Sequence, residues 1–181
     1  MSHKSGFVNI LGNTNVGKST LMNALIGEKL SIITSKAQTT RHRILGIISG
    51  DDFQMVFSDT PGIIKPAYKL QNAMLRAANS AFEDADVIIY FSDVVENQKK
   101  NQEILDKINT INIPTLIVLN KIDLIDINQI NEFKKIWNTL LPKAEFMPVS
   151  ALKNKNIDLL KDKLLEMLPE GQAYFPKDQL T

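Results

Sequence analysis

The eight residues Gly12-Asn13-Thr14-Asn15-Val16-Gly17-Lys18-Ser19 constrain this chain more tightly than any other stretch. An apolar run, Phe7-Val8-Asn9-Ile10-Leu11, precedes them and reads as a buried strand. A helix-compatible run, Thr20-Leu21-Met22-Asn23-Ala24-Leu25-Ile26, follows and stops at Gly27. Strand, glycine-bounded loop and helix start together make a phosphate cradle, because unsatisfied N–H groups and the helix dipole favour an anion at a helix N-terminus. Gly12 and Gly17 let the backbone turn tightly and approach the phosphates. Lys18 is placed to reach the β- and γ-phosphates, the Ser19 hydroxyl to bind Mg²⁺, and Thr20 to close the contacting stretch. A plain glycine turn with a surface lysine would need neither the spacing nor the flanks.

A second motif bears on the base. Ile113-Pro114-Thr115-Leu116-Ile117-Val118-Leu119 is a strand pattern running into Asn120-Lys121-Ile122-Asp123. Ligands of open α/β sheets bind at the carboxyl ends of strands. A carboxylate at Asp123 can accept from both N1–H and the exocyclic amino group of guanine, whereas adenine offers neither donor on that edge. Two charge-assisted bonds of roughly 1.5–3 kcal/mol each discriminate strongly. Lys121 can lay its methylene stem over the base, and Asn120 can brace the phosphate loop from across the site.

Between these motifs, Phe53-Gln54-Met55-Val56-Phe57-Ser58 leads into Asp59-Thr60-Pro61-Gly62 and then Ile63. An acid at the end of a neighbouring strand suits a Mg²⁺ site, and the Gly62 N–H can approach a γ-phosphate. An ordinary turn would carry the same four residues if they stood alone. In the polar segment from Thr34 to His42, Thr40, in preference to Thr39, is the candidate to complete the Mg²⁺ shell. Ser150-Ala151-Leu152, after the strand-like Phe146-Met147-Pro148-Val149, is placed to cap the base with a backbone N–H toward guanine O6.

The five elements occur in the order of a small translation-factor-like GTPase. At finer grain the chain resembles the Era family of bacterial GTPases. The resembling residues are Asn15 to Leu25, Lys36 to Arg43, Asp59 to Ile63 and the tail from Glu170 to Thr181. The first block is shared with Der and MnmE G domains, which stay as alternatives; the tail, with Tyr174, Phe175, Pro176, Lys177 and Asp178, resembles the Era linker. Thr14 stands where that family more often has proline. The resemblance implies a GTP-hydrolysing switch in assembly of the small ribosomal subunit, contacting 16S rRNA through a C-terminal KH domain. Residues 1–170 would be the G domain and 171–181 the linker, with the KH domain absent from this chain; no Gly-x-x-Gly loop of the KH kind occurs in it.

Composition fits that expectation. With 181 residues there is room for one domain and a sizeable core, and a net charge of +1 argues against strong field-driven RNA binding by this piece. The small basic cluster Arg41-His42-Arg43 reads first as a solvated strand start. There is no cysteine, which is in keeping with the reducing cytoplasm. No apolar run approaches the ~20 residues that span a bilayer, and Met1-Ser2-His3-Lys4 lacks the apolar core of a signal peptide. The expectation is a cytoplasmic protein, with peripheral contact at the inner membrane face left open.

The alternating patterns predict strands at 7–11, 43–49, 53–58, 87–92, 114–119 and 145–149, and helices at 18–26, 68–84, 98–109, 128–139 and 156–167. Gly50-Asp51-Asp52 signals a hairpin, so one edge strand should be antiparallel. The predicted fold is a P-loop NTPase G domain, an α/β protein with a six-stranded, mostly parallel sheet and helices on both faces.

Catalysis is expected to rest on Lys18, Thr40, Gly62 and Asn15, with slow turnover. Ras-like GTPases place a water-orienting Gln after the Gly of the third motif; here Ile63 stands there and can neither donate nor accept. For Asn15 two readings stand side by side: it satisfies loop backbone groups, or it coordinates K⁺ where an arginine finger would otherwise act, as in related G domains. A nucleotide-sensing module with negligible turnover is the rival to a catalytic switch, since binding and catalysis share one loop.

Overall fold

The computed structural model describes residues 2–12, 17–26, 43–59, 84–96 and 102–175, with backbone only at Arg43 and Asp59. Six strands form one sheet: β1 (Lys4–Gly12), β2 (Arg43–Ser49), β3 (Phe53–Asp59), β4 (Val87–Asp93), β5 (Thr115–Asn120) and β6 (Glu145–Pro148). Their order is β2-β3-β1-β4-β5-β6, and β2 alone runs antiparallel to its neighbour. The hairpin between β2 and β3 closes with Gly50 N–H donating to the Phe53 carbonyl at 2.9 Å. The described helices are α1 (Lys18–Ile26), α2 (Gln102–Thr110), α3 (Ile127–Leu140) and α4 (Ile157–Met167). The expected helix at 68–84 and the first turn of the one expected at 98–109 fall largely outside the described residues.

Each strand sends alternate side chains to opposite faces. On one face Val8, Ile10, Phe57, Ile89, Phe91 and Val118 meet Leu21 and Leu25 of α1 and Leu160 and Leu164 of α4. The apolar stripe Ile157, Leu160, Leu164 and Leu168 is buried against the sheet, as its three- and four-residue spacing predicts. Burying a leucine fully is worth ~1.5–3 kcal/mol. On the other face Leu11, Ile88, Tyr90 and Ile117 pack with α2 and with Trp137 of α3. Trp137 and Tyr90 lie 5.3 Å apart, ring centre to ring centre, in a tilted pair. Helices on both faces of the sheet are what the alternation of strand and helix patterns demands.

α3 starts with a reciprocal cap: Asp126 accepts from the Gln129 N–H at 2.9 Å, and Gln129 accepts from the Asp126 N–H at 3.0 Å. Such a pair satisfies two donors that a bare helix end leaves open. Asp126→Ala should lower the unfolding free energy by about 0.5–2 kcal/mol in urea titration with no change in slope.

β1 begins earlier than its apolar run suggests, and the tail explains why. Lys4 bridges to Glu170, Ser5 N–H donates to the Pro169 carbonyl at 3.1 Å, and Gly171 N–H donates to the His3 carbonyl at 2.9 Å. Further on, the fully buried Gln54 holds the tail from β3. Its Nε2 donates to the Phe175 carbonyl at 2.9 Å and to Ser49 Oγ at 3.2 Å. Its Oε1 accepts from the N–H groups of Tyr174 and Phe175 at 2.8 and 3.1 Å. Tyr174 stacks tilted on Phe7 with centroids 4.8 Å apart, while Phe175 packs on Ile44, Ile47 and Val56. Burial, and secondarily the Asp86 carboxylate, raise the Tyr174 phenol above its ordinary pKa, so it stays neutral. Residues 171–175 of the expected linker are therefore laid along the sheet. Among the described residues no helix is long and apolar enough to cross a membrane.

Candidate functional site

Five strands run the same way, so Gly12, Asp59, Asp93, Asn120 and Pro148 end at one edge of the sheet. The register ties them together: Ile10 faces Asp59, Gly12 faces Phe91, Asp93 faces Asn120 and Leu119 faces Pro148. From β1 the chain goes on to β2 at one edge, and from β3 to β4 on the far side of β1. The crevice between β1 and β4, where the connections leave in opposite directions, is thus a switch point of the topology, where ligands of such sheets sit.

At this edge Gly12 closes β1. A Cβ there would lie 2.4 Å from the carbonyl oxygen of Phe91, a contact that only glycine avoids. Asn13 to Val16 lie outside the described residues. The chain re-enters at Gly17 with φ +93°, in the left-handed region, and Lys18 opens α1 with Leu21 N–H donating to the Gly17 carbonyl at 2.9 Å. Ser19 and Thr20 are exposed in the first turn of α1.

Across the edge, Asn120 links the two halves of the site. A Cβ on Gly17 would come within 2.6 Å of Asn120 Nδ2, so this amide lies against the loop's backbone. The same side chain, almost fully buried, accepts from the Ala151 N–H at 3.0 Å through its Oδ1. Lys121 follows in the left-handed region with φ 68° and caps a 3₁₀ turn, Ile122–Leu124. Ile122 is buried, and its N–H donates to the Val149 carbonyl at 3.2 Å. Asp123 on that turn is exposed, and its Oδ1 accepts from the Ser150 hydroxyl at 2.6 Å. Ser150 in turn accepts from the Lys153 N–H at 3.1 Å. The turn from Ser150 is closed by paired backbone bonds with Lys155 at 2.9 and 3.1 Å, with Leu152 pointing to solvent.

The structure thus brings Gly12, Gly17, Lys18, Ser19, Asn120, Lys121, Asp123 and Ser150 to one edge. Asp59 is there by its backbone. Thr39, Thr40, Thr60, Pro61, Gly62 and Ile63 fall outside the described residues, as does Asn15. One residue that the motifs do not flag stands out: Asp93, the last residue of β4, pairs through Oδ2 with Lys121 Nζ at 2.7 Å. A lone acid after an apolar run reads as a strand terminator, and only the register with β5 reveals its partner.

For Mg²⁺, the structure offers the Ser19 hydroxyl on the first turn of α1 and the end of β3 at Asp59, on the strand paired with β1. A hydroxyl and a carboxylate are hard oxygen donors, and Mg²⁺ with phosphate and water completing its octahedron takes few protein ligands. The donor set fits.

An edge built this way, with a glycine-bounded turn opening α1 beside Asn120 and with Asp123 and Ser150 held next to it, belongs to the G domains of the P-loop class. A family profile described as 50S ribosome-binding GTPase matches residues 7–121. GTPase Era of Clostridium kluyveri is 44% identical over 179 residues, 98% of this chain and 61% of that protein. A crystal structure of an Aquifex aeolicus Era variant bound to GDP and AlF4⁻ is similar at TM-score 0.79 and 40% identity, covering 98% of this chain and 62% of that one. An Era structure with MgGDPNP and nucleotides 1506–1542 of 16S ribosomal RNA is similar at TM-score 0.79 and 40% identity, over 97% of this chain and 61% of that one. The chain belongs to this GTPase family, as an Era-type G domain. It spans about three fifths of the length of these relatives.

Proposed function

We propose that this chain binds GTP with Mg²⁺ and hydrolyses it to GDP and phosphate, switching state as it does so. The observation that carries this reading is the chain of contacts from Gly17 through Asn120 to Ala151, with Asp123 held by Ser150 beside it. Base recognition and phosphate binding are thereby built as one unit. Water attacks the γ-phosphorus, the bond from that phosphorus to the β–γ bridging oxygen breaks, and GDP leaves with the electron pair. Lys18 and the loop N–H groups stabilise the charge that develops between the β- and γ-phosphates. Ser19, Asp59 and Thr40 would hold Mg²⁺, which would supply positive charge against the charge that develops on the phosphates. Ile63 supplies no group to orient the water, so turnover by this domain alone is slow.

The whole protein, on this reading, is a cytoplasmic factor in small-subunit assembly, with 16S rRNA bound by a KH domain reached through residues 171–181. Support comes from the Era relatives, one of them solved with 16S RNA, and from a tail already fixed on the sheet as far as Phe175. K⁺ at Asn15 is part of the same proposal. Single-turnover hydrolysis, with and without small ribosomal subunits and in matched KCl and NaCl, tests all of it. Acceleration by the subunit and by KCl is expected. No turnover in any condition would leave a nucleotide sensor, and equal rates in the two salts would remove K⁺.

A further inference from the structure

We propose that Asp93 is a positioning residue for guanine recognition, holding Lys121 over the base site and away from Asp123. The inference rests on the guanine-binding reading above. Asp93 is 3% exposed and ends β4, paired in register with Asn120, the residue before Lys121. Its carboxylate is fixed in direction before Lys121 is considered. Oδ1 accepts from the Val95 N–H at 2.9 Å and the Glu96 N–H at 2.8 Å, leaving Oδ2 turned to Lys121 Nζ at 2.7 Å. A buried, hydrogen-bonded carboxylate paired with an ammonium is less screened than a surface pair.

Lys121 has reason to be held. Its stem has four rotatable bonds, and ordering them only when ligand arrives would weaken binding. Its backbone is in the left-handed region, which a non-glycine residue adopts only where its surroundings impose it. An ammonium freed from Asp93 would have another carboxylate two residues away, Asp123, the group needed by the base. A lysine paired there would neutralise the acid and compete with the N1–H and amino donors of guanine. Asp93 therefore does two things at once: it stretches the apolar stem in place and keeps the Asp123 carboxylate available.

A double-mutant cycle on GDP affinity, measured by calorimetry with Mg²⁺, tests this. Asp93→Asn keeps an oxygen for the Val95 and Glu96 N–H groups but loses the charge, and Lys121→Met keeps an apolar stem without an ammonium. Asp93→Asn should weaken GDP about tenfold in the natural background and less than about twofold in the Lys121→Met background, the signature of coupled residues. A folded Asp93→Asn protein with natural GDP affinity would overturn the proposal, as would an equal loss in both backgrounds, which marks a purely structural role. If Asp93→Asn does not fold, Asp93→Ser takes its place in the cycle. Absence of GDP binding by the natural chain would remove the guanine reading and this proposal together. Binding by the natural chain with indifference at Asp93 removes this proposal alone.

Discussion

Replacing Asp123 by Asn should move nucleotide preference from guanine to xanthine, with GTP affinity down by about a hundredfold or more from the loss of charge-assisted bonds. The geometry makes the effect chemical rather than structural. Asp123 is exposed on its 3₁₀ turn, and its fixed contact is the Ser150 hydroxyl donating to Oδ1 at 2.6 Å. An amide oxygen accepts that bond equally well, so the side chain stays where it is. What changes is the edge shown to the base. The amide nitrogen now donates, and it meets the carbonyl that xanthine carries in place of the amino group of guanine. Competition between GDP and xanthosine diphosphate at equilibrium reads the switch directly. A folded Asp123→Asn protein with full GDP affinity and none gained for the xanthine nucleotide would detach this residue from the base.

The second large effect is expected from Gly17→Ala, the smallest change that can be made in the phosphate loop. Gly17 has φ +93°, where a Cβ is strained by ~1–3 kcal/mol whatever the space around it. The space is also taken: the new carbon would lie 2.6 Å from Asn120 Nδ2. Asn120 cannot yield freely, because its Oδ1 holds the Ala151 N–H at 3.0 Å and the residue is almost fully buried. Strain at Gly17 is passed through Asn120 to the Ala151 N–H. GDP affinity should fall by about ten- to a hundredfold, with global stability lowered by no more than the backbone strain, about 1–3 kcal/mol. Calorimetry beside urea unfolding separates the two. Unchanged affinity would mean that the contact between Gly17 and Asn120 gives way without cost.

Much of the fold is legible because each strand of the parallel sheet carries its own apolar run and each described helix its own stripe. Val87 to Asp93 and Thr115 to Asn120 are buried along their whole length, the pattern of central strands covered on both faces. Residues whose neighbours come from far along the chain are not legible in this way. Lys4, Ser5 and Gly6 look like a polar start, yet they pair with β3, and Gly6 leaves room for Leu168 and Asp86. Gln54 looks like the solvent-facing residue of an alternating strand; it is buried because Tyr174 and Phe175 return to it. The candidate site divides in the same manner. The glycines, Lys18, Asn120 and Asp123 are marked by spacing alone. The bonds from Ser150 to Asp123, from Ala151 to Asn120 and from Lys121 to Asp93 depend on how β4, β5 and β6 align, which no local pattern encodes.

Binding of GDP and GTP to the purified chain, measured by calorimetry with Mg²⁺ and with ATP as the control, tests the central claim most directly. Micromolar binding of both guanine nucleotides with no detectable ATP binding is the expected result. A folded sample that binds neither, or that binds ATP as well as GTP, would contradict it.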